Sequence, residues 1–174
     1  MDNSRYTDSV SCDLKTTTAN AERGEADAQF CLGVYYANLK THDYPQASHW
    51  LLLAANQNHS LAQFNLGMMC ALGQGIPKDD AQAFLWFQKA ADQGDCGAQF
   101  QLGNIHQRLS FGASSGNATE SRIEAYKWFH IAAAQGYWGA QTSYQALTKS
   151  MSTNDVADGE RRASAFVISK PEFS

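Results

Sequence analysis

Lysine and arginine are few in this chain and stand apart: thirteen in 174 residues, against seventeen Asp and Glu, for a formal net charge of −4. The only adjacent basic pair is Arg161–Arg162. A nucleic-acid binder needs a basic stripe that displaces phosphate counterions, and its absence argues against nucleic acid as a partner. Long apolar runs are missing too. No window reaches the roughly 18 consecutive apolar residues of a membrane span. The first twenty residues, MDNSRYTDSVSCDLKTTTAN, lack the basic start and apolar core of a secretory signal. The expectation is a soluble, cytoplasmic protein, with leaderless export left open. Four cysteines (Cys12, Cys31, Cys70, Cys96) show no CxxC spacing and do not recur at matching positions, so they read as reduced thiols. Five histidines (His42, His49, His59, His106, His130) never fall in an HxxxH or HExxH pattern. No two imidazoles share a helical face, and no metal or other cofactor is expected.

Against these absences stands one strong regularity. Composition is globular, 44% hydrophobic and 17% charged. The pairs Ala28-Gln29, Ala62-Gln63, Ala98-Gln99 and Ala140-Gln141 are separated by 34, 36 and 42 residues. Four residues before each Ala comes Gly24, Asn58, Gly94 or Gly136, types that tolerate the left-handed backbone at a helix end. Between them recur Ala47-x-x-Trp50, Ala83-x-x-Trp86 and Ala125-x-x-Trp128, each followed by an alanine pair. Such coincidence at one drifting period marks a repeat protein.

Each repeat reads as two helices. In the first, Ala62, Leu66 and Cys70 lie at i, i+4 and i+8, as do Ala28, Leu32 and Tyr36. In the second, Ala83, Trp86, Phe87, Ala90 and Ala91 share a face, and the three tryptophans read as core. Pro45 suits a first helical turn, Asp79 or Asp80 an N-cap, and Ser121-x-x-Glu124 has capping-box spacing. One hairpin alone cannot bury its apolar faces, so stacking must supply the stability.

Leu32-Gly33-x-x-Tyr36 and Ala83-x-x-x-Phe87 match the tetratricopeptide pattern, and residues 66–103 resemble its Sel-one-like repeat branch throughout. The resemblance covers about residues 19–166. It implies an all-α, right-handed α-solenoid of helix-turn-helix repeats over 14–152, with units near 24–57, 58–93, 94–135 and 136–152. Residues 153–166 read as a capping helix, in which Gly159 costs roughly 1 kcal/mol, and 1–13 and 167–174 as tails. Repeat 3 carries extra residues, FGASSGNATES, and repeat 4 shows Tyr144-Gln145 where Leu-Gly would stand.

In tetratricopeptide-type solenoids the first helices line a concave face. Here they carry a second stripe: Phe30 and Val34, then Phe64 and Met68, then Phe100, Asn104, Gln107 and Arg108. An apolar patch grading into a polar, basic end suits a peptide or partner helix. The alternative is packing: the three Phe are better read as rings sealing adjacent repeats, whereas Asn104, Gln107 and Arg108 are poor core residues. Trp138 stands outside the pattern, either an exposed anchor or a residue packed under the C-terminal cap. The loop at 110–119 reads as mobile, a tolerated insertion or a contact at the groove's edge.

No catalytic constellation emerges. Cys70 and His106 occupy equivalent positions on successive first helices, but an apolar setting leaves a thiol inert. GQGIPK (73–78) lacks the phosphate-loop pattern and follows a helix, so it reads as a turn. The expected function is a non-enzymatic adaptor or scaffold binding a protein or peptide. An immunity protein for a cognate toxin is the alternative, and a cysteine-dependent hydrolase a remote one. Oligomeric state is not legible.

Overall fold

The computed structural model describes residues 14–38, 42–112 and 115–166. Among these there are nine helices and no strand: α1 Leu14–Glu22, α2 Ala26–Asn38, α3 Tyr44–Asn56, α4 Ser60–Leu72, α5 Asp80–Asp92, α6 Cys96–Gly112, α7 Ser115–Ala134, α8 Ala140–Thr148 and α9 Thr153–Ser164. The expected tails, 1–13 and 167–174, lie outside the described residues. No described helix is long and apolar enough to cross a membrane. The chain divides into two compact units within α5, one ending at Ala83 and the other beginning at Phe84.

In the first unit the repeat positions become packing. Ala21, Ala28 and Leu32 form a buried cluster, with Tyr36 and Trp50 packed against it. Gly33 lets α2 and α3 approach: a Cβ there would lie 2.5 Å from Leu51 Cγ. Asp43 caps α3, its carboxylate accepting from the Gln46 N–H at 3.2 Å, with Pro45 in the first turn. Asp79 caps α5 through the Ala81 and Gln82 N–H groups, both at 2.9 Å. GQGIPK is a turn. Gly73 ends α4 at φ +70°, and the Asp79 N–H closes the turn on the Cys70 carbonyl at 2.9 Å.

The second unit is built around Ala125, Tyr126, Phe129 and Leu147, with Phe100, Tyr144, Met151 and Val156 packed against them. Gly103 repeats the role of Gly33: its Cβ would meet Phe129 Cδ1 at 2.5 Å. The spacing argument holds at the turns of both units, since Gly24, Asn58, Gly94 and Gly136 all take positive φ.

Four expectations need correction. The expected loop at 110–119 is helical at its described residues: α6 runs to Gly112 and α7 begins at Ser115. Burial of Ala118 and Ile123 overrides the turn-forming composition of this stretch. Ser121 therefore sits inside α7 rather than capping it. Only Trp128 is fully buried among the repeat tryptophans. Trp50 and Trp86 are half-buried, and Lys89 Nζ lies 4.2 Å above the Trp86 ring. Gly159 is not simply a weak point of α9. A Cβ there would be 2.4 Å from Tyr126 Cδ1, so the missing side chain is what lets α9 sit on α7.

Candidate functional site

The stripe residues divide by their surroundings. In the first unit Phe30 is buried, its ring stacked on His59 at 4.6 Å between centroids. His59 is also the N-cap of α4, with Nδ1 accepting from the Ala62 N–H at 3.2 Å and Nε2 3.3 Å from Asp27 Oδ1. Burial lowers the His59 pKa below the ordinary imidazole value, opposed by the Asp27 carboxylate. Phe30 thus belongs to the packing of the first unit. Val34, Phe64 and Met68 are half-buried.

In the second unit, Phe100 is half-buried, its ring 5.5 Å from Phe129 and 5.1 Å from Tyr137. Asn104 is half-buried and donates to Gln101 Oε1 at 3.4 Å. Gln107 is half-buried and Arg108 exposed. At about 100° per residue, Phe100, Asn104, Gln107, Arg108 and Phe111 fall within an arc of about 100° on α6. At its start the arc shares its face with the buried Gly97 and with Phe100, which packs on the core; from Asn104 onward it points away from Ala98, Gln99 and Leu102. Exposure rises along it, to 82% at Phe111. Phe111 was legible only as part of a loop, and its place on this face follows from the extra turn of α6. Trp138 is also 82% exposed, so of its two readings the packed one fails.

A second polar group, absent from the sequence reading, ties α9 to α7. Arg162 donates to Glu120 and, at 2.7 Å, to Glu124, and pairs with Asp158 at 2.9 Å. The hydrogen bond from Arg162 holds the Glu120 carboxyl below its usual range. Glu120 and Glu124 lie about 40 residues from Arg162, beyond the reach of any local pattern.

The repeated glutamine also carries more than its sequence showed. Gln29, Gln63 and Gln99 are buried and donate to the carbonyls of Ala21, Ala55 and Ala91, each at 3.2 Å. A buried polar side chain recurring with the repeat was the signal available for this role.

The surroundings of Cys70 do not activate it. Burial pushes the Cys70 thiol up, and Asp79 adds to the effect, so the thiolate is disfavoured. Burial likewise lowers the His106 pKa, and its ring makes an edge contact with Phe84 at 5.9 Å. Among the described residues no group of three His, Cys, Asp or Glu is placed to hold a metal ion.

Comparison with known proteins follows the same periodicity. The Sel1 repeat model matches residues 26–59, 60–95 and 97–137. The chain is similar to a protective antigen of uropathogenic Escherichia coli displaying an SLR fold, with 30% identity and a TM-score of 0.77 over 88% of this chain and 32% of that one. It is also similar to a Sel1 repeat protein from Oxalobacter formigenes, with 34% identity and a TM-score of 0.64 over 77% of this chain and 98% of that one. Over 99 residues it is 36% identical to the chitin synthase regulator SKT5 of Malassezia restricta, a span of 53% of this chain but only 7% of that protein.

Proposed function

The chain belongs to the Sel1 repeat family, and on that premise we propose that it acts without catalysis, as a module binding a protein or peptide through its first-helix faces. The observation that carries this is the α6 stripe. Two half-buried side-chain amides and an exposed guanidinium lie on one side of α6, opposite the buried Ala98, Gln99 and Leu102. Asn104 and Gln107 can each donate and accept, which suits backbone groups of a bound chain. Val34, Phe64 and Met68 offer half-buried apolar surface on the first unit, and Met68 adapts its shape readily. The raised pKa of the Cys70 thiol argues against a cysteine nucleophile. The antigen and regulator roles belong to those relatives. They lend this chain only the expectation of a macromolecular partner.

Affinity capture with the intact chain tests the reading, run beside Asn104→Arg and Met68→Glu with each thermal midpoint checked. A prey lost from both folded variants supports it. A prey held equally by all three baits places binding elsewhere and removes the stripe from the site.

A further inference from the structure

The end of α6 extends the binding reading to a particular partner chemistry. The α6–α7 hairpin is longer than its counterparts: α6 has 17 residues and α7 has 20, where α2, α3, α4 and α5 have 13 each. The added length carries the exposed stripe past Arg108 to Phe111.

Charge here is uneven. Helix α6 contains no acidic residue. Both carboxylates in the first half of α7 are engaged, Glu120 by Arg162 and Glu124 by Arg162 and Lys127. Among the described residues no carboxylate pairs with Arg108. Arg122, on the facing half of α7, bonds Thr119 through Nη2 at 3.1 Å, while its buried Nε has no acceptor. Arg108 is therefore an exposed cation without a carboxylate partner, one turn from an exposed ring. A surface of this kind favours a partner with the opposite charge and an apolar side chain next to it.

Spacing selects the form of that partner. Arg108 and Phe111 are separated along α6 by about 4.5 Å at 1.5 Å per residue. A partner helix repeats that interval between residues i and i+3. An extended strand spaces side chains of one face about 6.7 Å apart. We infer that the α6 stripe from Asn104 to Phe111 docks an acidic amphipathic helix of a protein partner, setting a carboxylate on Arg108 and an apolar side chain on Phe111. This rests on the protein-binding reading above and narrows it to one face and one chemistry.

The test is a selection from a display library of random peptides, each long enough for four helical turns, against the intact chain. Recovered peptides are then titrated against the parent, Arg108→Glu and Phe111→Ser, at low and high salt. Both positions are exposed, and an unchanged thermal midpoint confirms that the variants fold. The expected peptides carry Asp or Glu one turn from Leu, Ile, Met or Phe. They should weaken with salt and bind each variant roughly tenfold or more weakly. Peptides without acidic residues, or peptides indifferent to both substitutions, overturn this inference and leave protein binding intact. Recovery of no peptide overturns both readings. Sedimentation with phosphatidylcholine–phosphatidylserine vesicles, lost in Phe111→Ser with no peptide depending on Arg108, would make the hairpin end a lipid contact and also overturn it.

Discussion

Gln135 donates from Nε2 to the Oε1 of Gln99 at 2.6 Å, and Gln99, with no exposed surface, donates in turn to the Ala91 carbonyl. The first unit repeats the relay, with Gln57 donating to Gln29 at 2.8 Å and Gln29 to the Ala21 carbonyl. Each buried amide thereby fastens the start of a first helix to the end of the helix before it, where helix geometry leaves carbonyls without intrahelical donors.

Gln99→Ala should therefore be costly, because it strips a buried acceptor and donor at once. Chemical denaturation should show a loss of about 1–3 kcal/mol. Gln135→Ala, whose amide reaches water, should cost less than about 1 kcal/mol. Equal losses would mean that the relay adds nothing beyond side-chain bulk.

Gly159→Ala sets helix propensity against packing. Propensity alone favours alanine by about 1 kcal/mol, but the new Cβ falls 2.4 Å from the Tyr126 ring. Overpacking of this kind costs about 1–3 kcal/mol, so the variant should melt at lower temperature than the parent. A raised midpoint would show that α9 does not pack as described.

Acid should weaken the fold through two half-buried histidines. His59 and His106 have folded pKa values lowered from the usual 6.5 by burial, so the unfolded chain binds more protons in that range. Their contribution is complete above pH 6.5 and is lost as pH falls from there through the lowered values. His59→Asn keeps a capping side chain without the titration. Its stability should change less between about pH 5 and 6.5 than the parent's. An unaltered slope would remove His59 as a source.

The Arg162 clasp acts at lower pH. Glu120 is held below its ordinary value of 4.5 chiefly by the hydrogen bond from Arg162. The stability this supplies is present above that value and lost as pH falls through the lowered one. Arg162→Met should lower the thermal midpoint at neutral pH and flatten the acid limb of its pH profile. A variant with an unshifted midpoint would mean that the ion pairs contribute nothing net, a common result for exposed pairs.

Thiol chemistry gives a direct check on catalysis. Cys70 should resist iodoacetamide at neutral pH in the native chain and react on unfolding, because burial disfavours its thiolate. Rapid native alkylation at Cys70 would reopen the question of a nucleophile.

What was legible beforehand was local. Ala28, Leu32, Ala62, Leu66 and Cys70 revealed buried faces because helix periodicity places them there whatever lies opposite. Asp79 was one of two caps on offer for α5, and Pro45 marked the first turn of α3, because such signals act within about three residues. Part of the candidate site was legible on the same terms, since Asn104, Gln107 and Arg108 are poor core residues in any packing. Exposure of the aromatic rings was not. Phe30 is covered by His59 from the next first helix, whereas Phe111 stands free because α6 outruns its counterparts.

The sequence by itself determined an all-α repeat, its period, its left-handed turns and the inner faces of its helices, since each depends on interactions spanning a turn or two of chain. Tertiary structure decided that residues 115–121 are helical, that Gly159 is a close contact, that Arg162 gathers three carboxylates and that the α6 stripe ends in an exposed ring. These outcomes depend on which surfaces meet across tens of residues. Burial and charge pairing at that range override local propensity.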